Sequence, residues 1–415
     1  MKIRVEQLRN ILGIVKPAVP SKSTLPILTN VLVKDGKLMA TDMDSMVVVD
    51  MPEAEEPFLL PYAEVLKMIK YVPGNEYLEL QAKRGKLTLS WSAGEATYPM
   101  GDFKDFPPIP DFKVKDEADI DGDTFIPALS SALPYAATEA DRPVLNGVTV
   151  QFGGPIEISA GDGFRMAHII LPFEFPAEYT TVIPAGAVRT LVHVMAKTPR
   201  TPPQGEALVD ILMAKMQLRV ALDGKRGMRV GFGPSVTVIV KLVDGSPPAW
   251  LKLLPKGEPI LKAQFLAREL ETAVRRVSDV AHQNNGIVRL LFQDGAGTIS
   301  AQADGREVSA KISVLDLVGA PNRLALNVKY LTEYLKDKEG IVTLLWTGGS
   351  APVSFQHSKS PKVIIMPMSA QWDKPLPSAQ AEPEAAADPP EAPAEAAPEA
   401  KTSKPQKKRE KKGKK

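Results

Sequence analysis

Four histidines, His168, His193, His282 and His357, are the side chains best suited to acid–base or metal chemistry near neutral pH. None has a second histidine three to five residues away, so ligand spacing is absent and each reads as structural. Asp119-Ile120-Asp121-Gly122-Asp123 has the outline of a calcium loop but lacks the closing bidentate Glu, which leaves a polar turn. Gly161-Asp162-Gly163 likewise reads as a turn rather than a catalytic dyad. There is no P-loop, dinucleotide fingerprint, nucleophile elbow or HExxH pair. The chain has no cysteine, which excludes disulfides and thiolate metal sites. These residues point to binding rather than catalysis, with no cofactor and no metal.

The elements that carry them repeat three times. Leu28-Thr29-Asn30-Val31, Ala40-Thr41-Asp42 and a helix opening at Pro61 come first. Leu145-Asn146-Gly147-Val148, Ala160-Gly161-Asp162 and a helix opening at Pro184 follow. Asn285-Gly286-Ile287, Ala303-Asp304-Gly305 and a helix opening at Asn327 close the series. The landmarks recur at near-constant offsets, 117 to 123 residues and then 139 to 143. That period exceeds the ~20–50 residues of a solenoid unit and lets each copy bury its own core. Each copy reads helix, strands, second helix, strands. Opening helices are expected over 5–15, 125–137 and 265–281. Second helices are marked by Val65, Leu66, Ile69 and Val72, by Val188, Leu191, Val192 and Met195, and by Val328, Leu331 and Leu335. Pro61 and Pro184 suit the first turn. Alternation predicts strands over 77–82, 86–91, 217–222, 236–243, 341–346 and 363–366. Polar or proline-rich stretches at 115–122 and 247–256 suggest boundaries. The fold class is α+β, with domains expected at 1–118, 119–250 and 251–370.

Net charge is +2, but from Lys374 onward there are ten Lys/Arg and seven Asp/Glu, so residues 1–373 carry about one net negative charge. From residue 371 a disordered tail is expected, rich in Pro, Ala and Glu, then in Lys. Its polybasic block, Lys407-Lys408-Arg409-Glu410-Lys411-Lys412, reads either as a solvated tail or as a non-specific phosphate contact. No apolar run reaches the ~18 residues of a membrane span and the first residues show no signal peptide, so a cytoplasmic setting without membrane contact is expected.

Over about residues 1–368 the chain resembles the bacterial sliding clamp, the beta subunit of DNA polymerase III. The resemblance rests on the order of several motifs: Thr24-Leu25-Pro26-Ile27-Leu28-Thr29-Asn30, Ala40-Thr41-Asp42, Leu145-Asn146-Gly147, the run from Ala160 to Ala167, Lys241-Leu242-Val243-Asp244-Gly245, Leu326-Asn327-Val328-Lys329-Tyr330-Leu331, Ala351-Pro352-Val353 and Met366-Pro367-Met368. It implies three clamp domains per chain and a head-to-tail homodimer closed into a ring around double-stranded DNA. It implies a non-catalytic processivity factor that tethers the replicative polymerase, the clamp loader and repair proteins through short peptide motifs. Such a factor needs diffuse attraction to phosphates rather than base readout.

By the same resemblance, Lys22, Lys70 and Arg142 are candidate DNA contacts, and Arg189, Lys197, Arg275, Arg276 and Lys329 are added from polar helix faces. The implied client pocket comprises Leu145, Gly161, Gly163, Phe164, Arg165, Met166, Pro248, Lys252, Leu253, Ile364, Met366, Pro367 and Met368. Methionine-rich apolar walls suit a pocket that accepts many peptides. Phe106, Asp279 and Val280 are assigned to the dimer seam, where Asp279 stands at a usually apolar position. Phe164 replaces a usual histidine, and Ser246-Pro247-Pro248-Ala249-Trp250 replaces a Phe-Pro-Asp-Tyr type of run. Most chains of the family stop near the equivalent of Met368. The alternative is a clamp-fold scaffold that binds client peptides without stable DNA encirclement; Asp279 and the near-neutral body motivate it.

Overall fold

The computed structural model describes residues 1–372, apart from 55, 140, 201–214, 225 and 359–360. The tail expected from residue 371 therefore lies, from 373 on, outside the described residues. Six α-helices appear among the described residues: α1 (Val5–Val15), α2 (Tyr62–Ile69), α3 (Gly122–Ala132), α4 (Ala185–Lys197), α5 (Ala267–His282) and α6 (Val328–Leu335). They pack in the pairs α1–α2, α3–α4 and α5–α6, and α1 also packs on α4. In α5, Leu270, Val274, Val277 and Ala281 form a buried stripe at helical spacing, while Arg275, Arg276 and Asp279 stay exposed on the opposite side.

Four antiparallel sheets lie against these helices. A four-stranded sheet runs Lys2–Arg4, Tyr77–Lys83, Lys86–Trp91, Gly94–Pro99. An eight-stranded sheet runs Phe58–Pro61, Asn30–Lys34, Lys37–Thr41, Ser45–Asp50, then Val236–Lys241, Gly227–Phe232, Gln217–Leu222, Asp116–Asp121. A nine-stranded sheet runs Tyr179–Pro184, Gly147–Phe152, Ile156–Gly161, Arg165–Leu171, then Lys362–Ile365, Val353–His357, Ile341–Trp346, Leu261–Leu266, Asp316–Val318. The last sheet has four strands, Arg306–Ile312, Ala296–Ala303, Ile287–Gln293, Asn322–Asn327.

The two large sheets each join two of the sequence repeats. In one, Val49 pairs with Val236 and Met46 with Ile239. In the other, Met166 pairs with Ile364 and His168 with Lys362. Each small sheet stays within one repeat and ends on an unjoined edge, Gly94–Pro99 in the first and Arg306–Ile312 in the last.

Several sequence expectations shift. Pro61 and Pro184 do not sit inside the first helical turn. Each is the N-cap residue and ends an outermost strand of its sheet, where a missing N–H breaks no ladder. The 115–122 stretch, read as a boundary, contains the strand Asp116–Asp121, so residue 118 falls inside it. The polar turn at 119–123 is that strand's end plus a helix cap, with Asp121 accepting from the Asp123 N–H at 2.9 Å. The helix expected over 125–137 starts at Gly122 and gives way to a 3-10 turn, Leu133–Tyr135. Residue 250 opens another, Trp250–Leu253.

Candidate peptide pocket and nucleic-acid interface

Strand alternation builds the pocket. In Gly147–Phe152, Ile156–Gly161 and Arg165–Leu171, Val148, Val150, Ile156, Ile158 and Ala167 belong to the main core. Thr149, Ser159, Gly161, Met166 and His168 therefore face the other side of the sheet. The segment Gly245–Lys252 crosses that side, and Trp250 is its anchor. The indole joins an apolar cluster with Leu145, Met166, Ile364 and Ala137, flanked by Val144 and Leu254. Its Nε1 donates to Thr149 Oγ1 at 2.9 Å, so the polar handle of a buried indole is satisfied. Gly161 makes the seat: a β-carbon there would lie 2.7 Å from Trp250 Cζ3.

Four sequence-selected residues, Leu145, Gly161, Met166 and Ile364, thus meet around Trp250, which the sequence reading did not place in the pocket. The first, third and fourth are buried and form a floor. Phe164, Leu253 and Met366 are the exposed apolar residues beside it, with Phe164 63 % exposed. The Met366 N–H donates to the Phe164 carbonyl at 2.8 Å, tying these two together. Gly163 is exposed with φ +96°, a conformation that needs glycine at this turn. Pro367 and Met368 are half-buried, and the Met368 N–H donates to the Ala325 carbonyl. Pro248, Trp250 and Lys252 line a cavity of about 450 Å³ that shares the Trp250 indole with this cluster.

Arg165 braces the pocket from within. Its Nε donates to Asp162 Oδ2 at 3.0 Å, one terminal nitrogen to the Pro134 carbonyl at 3.1 Å, and the other to Glu333. The guanidinium also stacks 4.7 Å from the Tyr330 ring and 5.2 Å from the Tyr135 ring. Burial pushes the Tyr135 hydroxyl up to about 12, with the Arg165 charge acting against it and Glu333 with it. Asp162 also accepts from the Phe164 and Arg165 N–H groups, which fixes the Gly161-Asp162-Gly163 turn. His168, buried beside this turn's strands, shares a 3.0 Å hydrogen bond between Nδ1 and Ser159 Oγ. Among the described residues no cluster of three metal-ligating side chains occurs.

The eight basic candidates, Lys22, Lys70, Arg142, Arg189, Lys197, Arg275, Arg276 and Lys329, are all exposed. Arg189 and Lys197 share α4, and Arg275 and Arg276 share α5. Lys70 caps α2, and Lys329 opens α6 beside the Asn327 cap. Arg275 is held by Glu271 at 2.7 Å, so it offers less free charge than the others. At the expected seam, Phe106 is buried in its own chain's cluster with Leu32, Met46, Val48 and Ile239, and Val280 is buried in the main core. Asp279, in the same helix as Val280, is exposed.

The geometry defines a class: an α+β protein whose sequence repeats are joined through shared sheets, with a buried apolar cluster around Trp250 where the last two repeats meet; among the described residues no helix is long and apolar enough to cross a membrane. No family model matches the chain. Curated relatives called beta sliding clamp include that of Pseudomonas aeruginosa, 25% identical over 385 residues covering 88% of this chain and 98% of the relative. That of Synechococcus elongatus is 23% identical over 349 residues, covering 80% and 88%. The solved DNA polymerase III subunit beta of P. aeruginosa superposes with a TM-score of 0.78 at 21% identity, over 89% of this chain and 100% of that one. The DNA polymerase III beta subunit of Thermotoga maritima gives 0.76 at 21% identity, over 89% and 99%. The chain has the fold of these DNA polymerase III beta subunits and is similar in sequence, over most of its length, to the curated beta sliding clamps.

Proposed function

We propose that this chain is a DNA sliding clamp: a processivity factor without catalytic activity that encircles duplex DNA and tethers the replicative polymerase and other clients by short peptides. The observation that carries this is the pattern of joined and unjoined sheets. Inside the chain, each pair of neighbouring repeats closes its junction with an antiparallel strand pair. The two end sheets keep the corresponding edges open, Gly94–Pro99 at one end and Arg306–Ile312 at the other. Pairing those two unlike edges between copies repeats the internal junction, and two copies joined twice make a closed head-to-tail ring. On this reading the three domains are the three repeats, the exposed Lys and Arg of the helices attract phosphates without reading bases, and the cluster around Trp250 with its rim is the client pocket. The clamp loader and repair proteins are expected users of that pocket, and the setting is cytoplasmic.

Retention on DNA tests it. Loaded by its clamp loader onto nicked circular DNA, the protein should stay bound through a high-salt gel-filtration column and run off after the circle is cut. Light scattering across a dilution series should give about twice the 44.9 kDa chain mass. A monomer that never persists on the circle would instead fit the scaffold alternative.

A further inference from the structure

The cavity beside the client pocket has its own chemistry. Its walls are one polar face of the nine-stranded sheet, roofed by the segment Gly245–Lys252. In register, Thr149 pairs with Ser159 and Ser159 with His168; one row along, Thr180 pairs with Gln151 and Gln151 with Glu157. Three hydroxyls, one amide and one carboxylate therefore point into about 450 Å³, enough for a side chain or small ligand. Trp250 is shared: it belongs both to the apolar cluster and to this cavity's lining, so the two sites adjoin through one indole.

Glu157 lacks a close counter-charge. Its side chain is only 19% exposed, and among the described residues no Lys or Arg nitrogen lies within 4 Å. Its nearest basic group is His168 Nε2 at 3.8 Å, which is buried and has no hydrogen-bond partner. Burial holds the His168 imidazole below its ordinary pKa, so near neutral pH it does not neutralise the carboxylate. Lys252, the other charged lining residue, is exposed and its charge is weakened by water. A half-buried carboxylate ringed by hydroxyl and amide oxygens is matched by a cationic donor, because such a group satisfies charge and acceptors together.

We propose that this cavity takes an arginine or lysine side chain of the client peptide, next to the apolar residues that enter the Trp250 pocket. The inference rests on the client-pocket reading, and it adds a basic position to what the pocket selects. Glu157 pairs the cation, Thr149, Ser159, Thr180 and Gln151 accept its remaining N–H groups, and Trp250 separates the two subsites.

The test uses the full chain and two matched pairs of fluorescent octapeptides containing two leucines and a phenylalanine. One set carries arginine at either end; the other carries citrulline, which keeps the shape and removes the charge. By anisotropy, the better-placed arginine peptide should bind about tenfold tighter than its citrulline twin, the size expected for a charge-assisted bond. In Glu157→Gln that preference should fall to within about twofold, while the variant keeps the parent chain's circular-dichroism spectrum and unfolding midpoint, which shows it is folded. Equal affinity of the two peptides for the parent chain, or a preference that survives Glu157→Gln, would overturn the inference and leave the pocket reading standing. Binding by neither peptide would overturn both.

Discussion

His168 and Trp250 give the residue scale two measurable handles. Burial lowers the His168 pKa from 6.5, the Lys362 charge acts with it, and Glu157 acts against it. A base whose folded pKa is depressed adds stability that is complete above its unfolded pKa and is lost as protons bind the unfolded chain. Stability to urea should therefore fall as pH drops below about 6.5, and His168→Asn should remove part of that slope. An identical pH profile in the variant would show that other groups set the acid limb. Trp250→Ala should cost about 3–5 kcal/mol by denaturant unfolding, because it empties the centre of a buried cluster, and should abolish client-peptide binding. At this scale the floor residues Leu145, Met166 and Ile364 were legible from the motifs that carry the family resemblance. Trp250 was not, because Ser246–Trp250 departs from the family's run. Nor were the partners of Arg165: Pro134 and Glu333 lie 31 and 168 residues away, beyond any local pattern.

The open edges set the prediction for elements. Outward N–H groups of Gly94–Pro99 and Arg306–Ile312 exchange freely unless another strand covers them. Hydrogen exchange should find both segments protected at concentrations that favour the dimer, and both should lose protection together on dilution. Protection of one alone would contradict head-to-tail pairing. Helices were largely legible here, since buried positions recur at helical spacing in α1, α2, α4 and α6. Strand neighbours were not, because alternation tells which face is buried but not which strand lies alongside. Asp116–Asp121 was hidden for a related reason. It is the outermost strand of its sheet and carries charges such as Asp119, which meets Arg219 Nε at 3.3 Å, so its composition imitates a linker.

For the whole molecule, charge is the informative quantity. A body of residues 1–373 with about one net negative charge attracts DNA only where cations are gathered on one surface. Lys22→Ala and Lys70→Ala should each lower the salt-dependence slope of DNA binding by about one, with no change in sequence preference. Arg275→Ala should lower it less, because Glu271 already holds that guanidinium. Lys22 and Lys70 are exposed, whereas Phe106 and Val280 are buried in their own chain. Motif position carries over which residue type stands where, but burial depends on neighbours such as Met46 and Ile239 that come from distant strands. The Gly161–Trp250 contact has a consequence over generations. A β-carbon at 161 would meet the indole at 250 and also come within 2.9 Å of the Arg165 carbonyl oxygen, so a smaller ring at 250 relieves only part of the crowding. Among descendants of this chain the codon for 161 should stay glycine even where the ring at 250 shrinks.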